Sequence, residues 1–419
     1  MKAVYKNLLC FFLKRRRITV AIFLFLSNSL FAQKYELIIK GGHVIDPANG
    51  INRIMDIAVS KGTIARIAVT IKDSSEKVIN AKGLYVSPGF IDIHTHVFVG
   101  TQAGLFANGV NSVSPDDFTF RSGVTTVVDA GTSGWRSFPL FKKQVIDQSR
   151  TRILAFLNIA GEGMTGAERE ENTEDMDADS TAKMIRQFPE IIAGVKIGHY
   201  NGKEWMPFET ALNAAGKAGK PLFVECHLPQ YTLQEQLSRM RPGDIITHTF
   251  ENISERMPII GEDGKVRSFV LDARKKGILF DLGHGGAGFW FDQAAPAVSQ
   301  GFFPNSFGTD LHRFSMNSAM KDMTNVMSKF MALGMTLEEV VQTASWNAAR
   351  AIRHSDLGNL KEGNPADLVI FSIRKGQFGF MDSAGKSIHG NKKLETEMTI
   401  RAGKIVWDLN GLSAKKPEQ

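Results

Sequence analysis

Four histidines, one lysine and one aspartate in this chain have residue types and spacings that suit metal-dependent chemistry. Two of the histidines, His94 and His96, are separated by one residue, which places both side chains on the same face of a β-strand. Neutral imidazole is a common metal ligand, so the pair can reach a single divalent ion. A His-x-His pair alone is also compatible with two hydrogen-bonded histidines of a protein core.

The other four polar residues each lie within or just after a short apolar run. They are Lys196, His227, His248 and Asp310. Taken singly, either histidine could be a core residue, and Asp310 could be the N-cap of a helix. Lys196 is harder to explain, because a lysine inside an apolar strand is costly unless it is paired or neutralised. Together with the His-x-His pair, the set predicts a metal site.

The segments that would position these residues alternate between short Val- and Ile-rich runs and helix-like stretches over residues 87–355. Eight apolar runs can be counted, from residues 89–93 to residues 306–309. Eight strands over about 270 residues match the count and length of a (β/α)8 TIM barrel. Because the carboxyl ends of barrel strands form one face, the six polar residues are predicted to converge there.

Glycine-punctuated β-rich runs occupy both flanks of this region, at residues 33–86 and 356–412. Neither flank has enough strands to bury the face of a sheet by itself. We therefore predict that the two chain ends pair into one small composite β-sandwich. The predicted fold class is α/β, a TIM barrel with a β-sandwich domain built from both ends.

Residues 1–32 have the features of a secretory signal peptide. A basic stretch leads into an apolar run that ends at Ala32. The uncharged part, residues 18–32, is shorter than the roughly 20 residues of a spanning helix. We predict cleavage after Ala32 and export to the periplasm or the medium, without a stable membrane span after cleavage. The alternative is an uncleaved N-terminal membrane anchor.

The charge of the chain is concentrated in the same segment. The net charge is +7, but residues 1–32 hold six basic residues and no acid, which leaves +1 on the remainder. A polybasic surface for nucleic acid is therefore not expected. Only Cys226 lies outside residues 1–32, so the exported chain cannot form an internal disulfide, and Cys226 is read as structural. A homo-oligomer is compatible with the sequence.

Three motifs make the chain similar to the amidohydrolase superfamily of metal-dependent hydrolases. They are the run Pro-Gly-Phe-Ile-Asp-Ile-His-Thr-His that ends at His96, the run Gly-Val-Thr-Thr-Val-Val-Asp that ends at Asp129, and the run Gly-Asn-Pro-Ala-Asp-Leu-Val-Ile-Phe that ends at Phe371. The resemblance covers about residues 35–410. Within the superfamily, the chain resembles a dihydroorotase-like subgroup of amidohydrolases and deacetylases.

The resemblance implies a site with two divalent metal ions, usually zinc. It implies that an inner ion is held by His94, His96 and Asp310, and an outer ion by His227 and His248. Lys196, carboxylated by CO2 to a carbamate, would bridge the two ions. A bridging hydroxide would be the nucleophile. Asp310 would accept its proton and pass it to the leaving group.

The implied reaction is hydrolysis of a non-peptide amide bond in a small molecule, either an N-acyl or a cyclic amide. Hydrolysis of a carboxylic ester at the same metals, as a deacetylase, is the alternative. Two other classes stay open: a Schiff-base enzyme with Lys196 as amine nucleophile, and a non-enzymatic metal-binding protein. The turn at His284, Gly285 and Gly286, together with His312, is predicted to contact substrate. A tight turn and histidines away from the substrate are the alternative.

Overall fold

The computed structural model describes residues 35–166, 170–226 and 230–414. In chain order the strands are β1 (Tyr35–Asp46), β2 (Ile51–Ser60), β3 (Thr63–Ala68), β4 (Ser75–Asn80), β5 (Tyr85–Pro88), β6 (Phe90–Thr95), β7 (Val99–Gln102), β8 (Val124–Gly134), β9 (Arg152–Asn158), β10 (Ile192–Gly198), β11 (Leu222–Glu225), β12 (Ile245–Ile246), β13 (Leu279–Phe280), β14 (Leu368–Met381), β15 (Ser387–Arg401) and β16 (Lys404–Asp408). The α-helices are α1 (Pro115–Phe118), α2 (Phe138–Gln144), α3 (Ala178–Gln187), α4 (Met206–Ala218), α5 (Leu233–Arg239), α6 (Ser268–Lys276), α7 (Phe291–Ser299), α8 (Met323–Leu333), α9 (Leu337–Gln342) and α10 (Ala348–Ala351).

Seven of these strands form a curled parallel sheet in the order β13-β12-β11-β10-β9-β8-β6. The segment from Ser306 to Leu311 bridges both edges of this sheet, through Asp281 next to β13 and through Thr95 in β6. This segment occupies the eighth strand position and closes the sheet into a barrel. Each of the eight apolar runs of the sequence therefore corresponds to one strand position of the barrel. The predicted TIM-barrel architecture is thereby confirmed.

The barrel strands are apolar along most of their length because both of their faces are covered. All residues of β10 are buried, as are all residues of β8. The helix α4 shows how the outer layer is specified. It has Pro207 in its first turn, it is capped at its C-terminal end by Gly219 with a φ of 64°, and it buries Phe208 against the barrel.

Both chain ends contribute to a second, mixed sheet in the order β16-β15-β14-β5-β1-β2-β3, with β4 beside β1. The two ends meet where β14 pairs antiparallel with β5. The predicted pairing of the chain ends is therefore present as one mixed sheet. The two-layer sandwich and the exact domain boundaries stay predictions.

The predicted signal peptide lies outside the described residues. Among the helices of the described part of the chain, none combines the length and apolar character needed to cross a membrane.

Candidate metal centre

The polar residues predicted from strand ends meet at one end of the barrel. His94, His96 and Asp310 form one group of potential metal ligands, and His94, Glu225 and His248 form a second. Within each group the ligand atoms lie within 4.8 Å of one another, and every member is buried. His227 lies outside the described residues, so its predicted role as a ligand stays a prediction.

The three histidines are all held through their Nδ1 atoms. Each Nδ1 has an oxygen partner: 3.0 Å from His94 to Thr247 Oγ1, 3.2 Å from His96 to Thr132 Oγ1, and 2.7 Å from His248 to the carbonyl of Gly283. Thr247 in turn donates to Asp281 Oδ2 at 2.8 Å. Such partners fix the ring orientation of metal-binding histidines and leave Nε2 available as the ligand atom.

One buried nitrogen at the centre of this cluster lacks a hydrogen bond. Nε2 of His94 is shielded from solvent and has no hydrogen-bond partner among the described residues. It lies 3.5 Å from Asp310 Oδ1 and 3.4 Å from Glu225 Oε2. Because a buried polar atom without a partner is costly, an ion bound between these atoms would satisfy all three. The residues present therefore fit a divalent metal ion.

The electrostatics of the cluster also favour a cation. Burial alone would lower the pKa of His94, but Asp310, Asp281 and Glu225 raise it to about 10. Burial would raise the pKa of the Asp310 carboxyl, but His94, His312 and His96 hold it well below its usual range. The carboxylate of Asp310 is therefore ionised, and a metal ion would supply the positive charge that it favours.

Glu225 is a member of the cluster that sequence reasoning missed. It ends β11, where its Oε1 lies 3.1 Å from Nε2 of His248. Burial would raise its pKa, but Lys196 and His199 hold the pKa well below the usual range. A signal was present in the sequence, because a glutamate at the end of an apolar strand needs a partner as much as Lys196 does.

Lys196 reaches the centre from β10, as predicted. Its amine donates to the carbonyl of Ala130 at 2.8 Å and to the carboxylate of Glu225. The neighbouring residue Gly131 leaves the space for this side chain, since a Cβ there would lie 2.4 Å from Cγ of Lys196. The amine is thus paired with a carboxylate. A buried lysine is tolerated when it is either paired or neutralised, and Lys196 meets the first of these conditions. Its carboxylation stays a prediction.

His199 is a second residue that sequence reasoning missed. It follows β10 with a φ of 59°, a conformation that non-glycine residues rarely adopt and that often marks functional positions. Its Nε2 lies 3.3 Å from Glu225 Oε1, and its Nδ1 lies 3.4 Å from Glu170 Oε1. Burial would lower the pKa of His199, but Glu225 and Glu170 raise it to about 10.

Two other residues singled out in the sequence have structural contacts. Asp129 accepts hydrogen bonds from the backbone N–H groups of Val97 and Thr132, at 2.9 and 2.8 Å, and so holds the loop that follows β6. Cys226 is buried, and burial raises the pKa of its thiol to about 12. A thiol with so high a pKa is a poor nucleophile.

A cavity of about 260 Å³ opens beside the cluster. Its apolar lining includes Phe106, Met164 and Ala287, and its polar lining includes residues of the cluster itself. Of the predicted substrate contacts, Gly286 and His312 line this cavity. His284 is fully buried and does not line it, and Gly285 packs against Asp310 instead.

Comparisons with known proteins relate this geometry to hydrolases. The amidohydrolase family model matches residues 291–406. The chain is 31% identical to a deacetylase of Brucella anthropi over 82% of this chain and 86% of that protein. It is 32% identical to a deacetylase of Agrobacterium fabrum over 77% of this chain and 79% of that protein.

Two solved structures are similar along most of the chain. An adenine deaminase superposes with a TM-score of 0.82 at 28% identity, covering 90% of this chain and 100% of that one. A dihydroorotase superposes with a TM-score of 0.78 at 28% identity, covering 89% and 99%.

Proposed function

The chain belongs to the amidohydrolase family and is a hydrolase that acts on carbon–nitrogen bonds, and we propose that its substrate is a small molecule with a non-peptide amide, N-acyl or cyclic. The observation that carries this proposal is the buried Nε2 of His94, which lies between the carboxylates of Asp310 and Glu225 without a hydrogen-bond partner among the described residues. It supports a divalent metal ion as the centre of the reaction.

The proposed metal ligands follow the two groups of the cluster. His94, His96 and Asp310 would hold an inner ion, and His248 would hold an outer ion together with His227. Glu225 adds a carboxylate to the outer group. Two divalent ions, zinc in our proposal, would supply a hydroxide nucleophile at neutral pH and polarise the scissile carbonyl.

Lys196 is proposed to carry a carbamate in the working enzyme. Two divalent ions bring four positive charges into a buried space, of which Asp310 and Glu225 offset two. A carbamate would turn the Lys196 side chain from a cation into a third anion, so the overall charge favours carboxylation once metals are bound. The intact mass of the native protein should then exceed that of the acid-treated protein by the mass of CO2 in addition to the mass of the bound metal ions. A mass difference accounted for by the metal ions alone would leave Lys196 uncarboxylated, as the hydrogen-bond partner of Glu225.

Asp310 is proposed as the residue that moves the proton. Its Oδ1 lies 3.0 Å from Nε2 of His96, and its Oδ2 lies 3.8 Å from Nε2 of His312 at the cavity wall. The ionised carboxylate would accept the proton of the nucleophile and deliver it to the leaving nitrogen. Its burial keeps bulk water from competing for that proton.

The cavity supports a substrate of modest size. Its wall combines the ring of Phe106 and the thioether of Met164 with the small residues Gly286, Ala287 and Gly288. Such a wall suits a short apolar acyl group, with Gly286 and His312 as the proposed substrate contacts. Hydrolysis of an ester of the same acid is the second candidate; two similar proteins are named deacetylases, a name that covers removal of either N-acetyl or O-acetyl groups.

A paired substrate screen tests this proposal. Purified protein would be stripped of metal, reconstituted with zinc, and assayed for acid release from matched N-acetyl and O-acetyl compounds. We expect zinc-dependent hydrolysis of at least one amide, and its loss in Asp310→Asn. The exposed Asp179→Asn is the matched control and should keep wild-type turnover. Hydrolysis of esters alone would favour the second candidate, and hydrolysis that survives in Asp310→Asn would refute the assigned role.

Export is proposed for the same chain. The features of residues 1–32 support a periplasmic or secreted enzyme, with an N-terminal membrane anchor as the alternative. The N-terminal sequence of protein recovered from the periplasm should begin at Gln33.

A homo-oligomer is also proposed, and the mass of the protein in solution tests it.

A further inference from the structure

The loop that follows β13, residues 283–288, touches two members of the metal cluster. We call it the glycine loop. The carbonyl of Gly283 accepts the hydrogen bond from Nδ1 of His248 at 2.7 Å. Gly285, with a φ of 48°, lies so close to Asp310 that a Cβ at this residue would be 2.1 Å from Oδ2. The position of this loop therefore sets the position of one proposed ligand and of the proposed proton carrier.

Lys329 lies behind the glycine loop and is fully buried. It belongs to α8, and its Nζ lies 2.7 Å from Nε2 of His284. The same amine donates to the carbonyl of Ala319 at 2.6 Å and lies 5.6 Å from the centre of the Phe289 ring. Within the described parts of the chain, no carboxylate oxygen lies within ion-pair distance of this amine.

The direction of these hydrogen bonds fixes the state of His284. The carbonyl of Gly285 can only accept a hydrogen bond, so Nδ1 of His284, which lies 3.1 Å from it, carries the ring proton and donates. Nε2 of His284 therefore accepts from the amine of Lys329. Burial lowers the pKa of Lys329 to about 7, and the amine has an N–H for this bond in either protonation state.

The backbone of the glycine loop completes the arrangement. The N–H groups of His284 and Gly285 donate to the carbonyls of Gly308 and Thr309, each at 3.0 Å. These two acceptors immediately precede Asp310. The loop is thus tied to the Asp310 segment on one side and to α8 through the His284 ring on the other.

A buried lysine without a carboxylate partner is costly, and a methionine of similar length would fill the same space without that cost. We propose that Lys329, acting through His284, is a positioning residue that holds the glycine loop in register with Asp310 and His248. The effect on metal binding rests on the proposed function, whereas the effect on the loop does not.

Two variants separate positioning from general stability. Lys329→Met removes the donor and keeps the length of the side chain. His284→Gln keeps an acceptor for Lys329 at Oε1 and removes the donor to Gly285. The exposed Lys321→Met, just before α8, is the control. The readouts are hydrogen exchange of the His284 and Gly285 amides, the zinc Kd from chelator competition, and the Tm.

We expect exchange of both amides to accelerate by about tenfold or more in Lys329→Met and His284→Gln. We expect their zinc Kd to weaken by about tenfold, as for other groups that orient a metal-binding histidine. The Tm of His284→Gln should stay close to that of the wild type, and Lys321→Met should match the wild type throughout.

The proposal would be overturned if Lys329→Met and His284→Gln both kept the wild-type exchange rates of these two amides and the wild-type zinc Kd. Faster exchange over the whole chain, together with a lowered Tm in both variants, would also overturn it and assign Lys329 a general structural role. If Lys329→Met does not fold, His284→Gln decides between these outcomes. If the wild type itself binds no zinc, the proposed function fails while hydrogen exchange still tests the hold on the loop.

Discussion

The amine of Lys196 donates a hydrogen bond to the carboxylate of Glu225 inside the barrel. The two residues lie on neighbouring parallel strands, β10 and β11, and both side chains are almost fully removed from solvent. Neither charge would be tolerated there alone, because an unpaired buried charge is strongly destabilising. The charge of each residue is therefore tolerated in the barrel only because the other residue is present.

This dependence predicts the behaviour of Glu225→Gln. The amide keeps the size of the side chain but loses the charge that faces His94, His248 and Lys196. We expect the zinc Kd to weaken by at least about tenfold. We also expect the metal-free protein to lose about 3 kcal/mol of unfolding free energy, since Lys196 loses its anionic partner. Zinc titration and urea unfolding measure the two effects.

The exposed Glu209→Gln is the matched control and should leave both quantities at their wild-type values. Unchanged zinc affinity in Glu225→Gln would remove Glu225 from the proposed ligand set. Unchanged stability would mean that the metal-free protein does not depend on the pairing of Lys196 with Glu225.

Thr247 is predicted to tune the metal through His94. Its hydroxyl accepts from Nδ1 of His94 and donates to Asp281. Thr247→Val keeps the shape of the side chain but removes both hydrogen bonds of the hydroxyl. We therefore expect the zinc Kd to weaken by about 10- to 100-fold. Thr249→Val is the control on the same segment, because that hydroxyl donates to the backbone carbonyl of Asp281 rather than to a histidine partner. Equal zinc affinity in the two variants would contradict this assignment.

Gly285 and Gly286 are predicted to differ sharply as sites of substitution. An alanine methyl at Gly285 would overlap the carboxylate of Asp310, and the φ of 48° is unfavourable for alanine. We expect Gly285→Ala to lose hydrolysis and to bind zinc at least about tenfold more weakly. A Cβ at Gly286 meets no atom of the described residues within 4 Å, so Gly286→Ala should keep zinc and change only KM. Similar zinc affinities in the two variants would contradict the close approach of the glycine loop to Asp310.

Burial of Lys329 predicts a pH dependence of stability. Its pKa is about 7 in the folded chain and 10.5 ordinarily, so between these values the unfolded chain binds a proton that the folded chain does not. The unfolding free energy contributed by this group therefore rises with pH, by up to about 1.4 kcal/mol per unit. In urea unfolding, the stability of the metal-free wild type relative to Lys329→Met should rise from pH 7 to pH 10. Parallel curves would mean that Lys329 keeps its proton in the folded state.

The sequence was sufficient to predict the barrel and the convergence of five residues on one face. These residues, which follow from strand order because the carboxyl ends of parallel strands meet, are His94, His96, Lys196, His248 and Asp310. Glu225 was not among the predicted residues. Its place at the end of an apolar run marked it, but its contact with Lys196 joins residues 29 positions apart, and strand patterns do not encode such pairings.

Contacts between distant segments were beyond the reach of the sequence. The bond between Lys329 and His284 joins residues 45 positions apart, and no periodicity marks either of them as a partner of the other. The sequence predicted His284 as a substrate contact because it follows a barrel strand. The burial of the His284 side chain against Lys329 depends on how α8 packs, which strand patterns do not encode.

The central claim is that hydrolysis of a carbon–nitrogen bond depends on metal held by this cluster. Its most direct test is the rate of amide hydrolysis by metal-stripped protein as zinc is added in steps. We predict no turnover without metal and a rate that rises with zinc until two ions are bound per chain. Full turnover by the stripped protein, with no response to zinc, would contradict the claim.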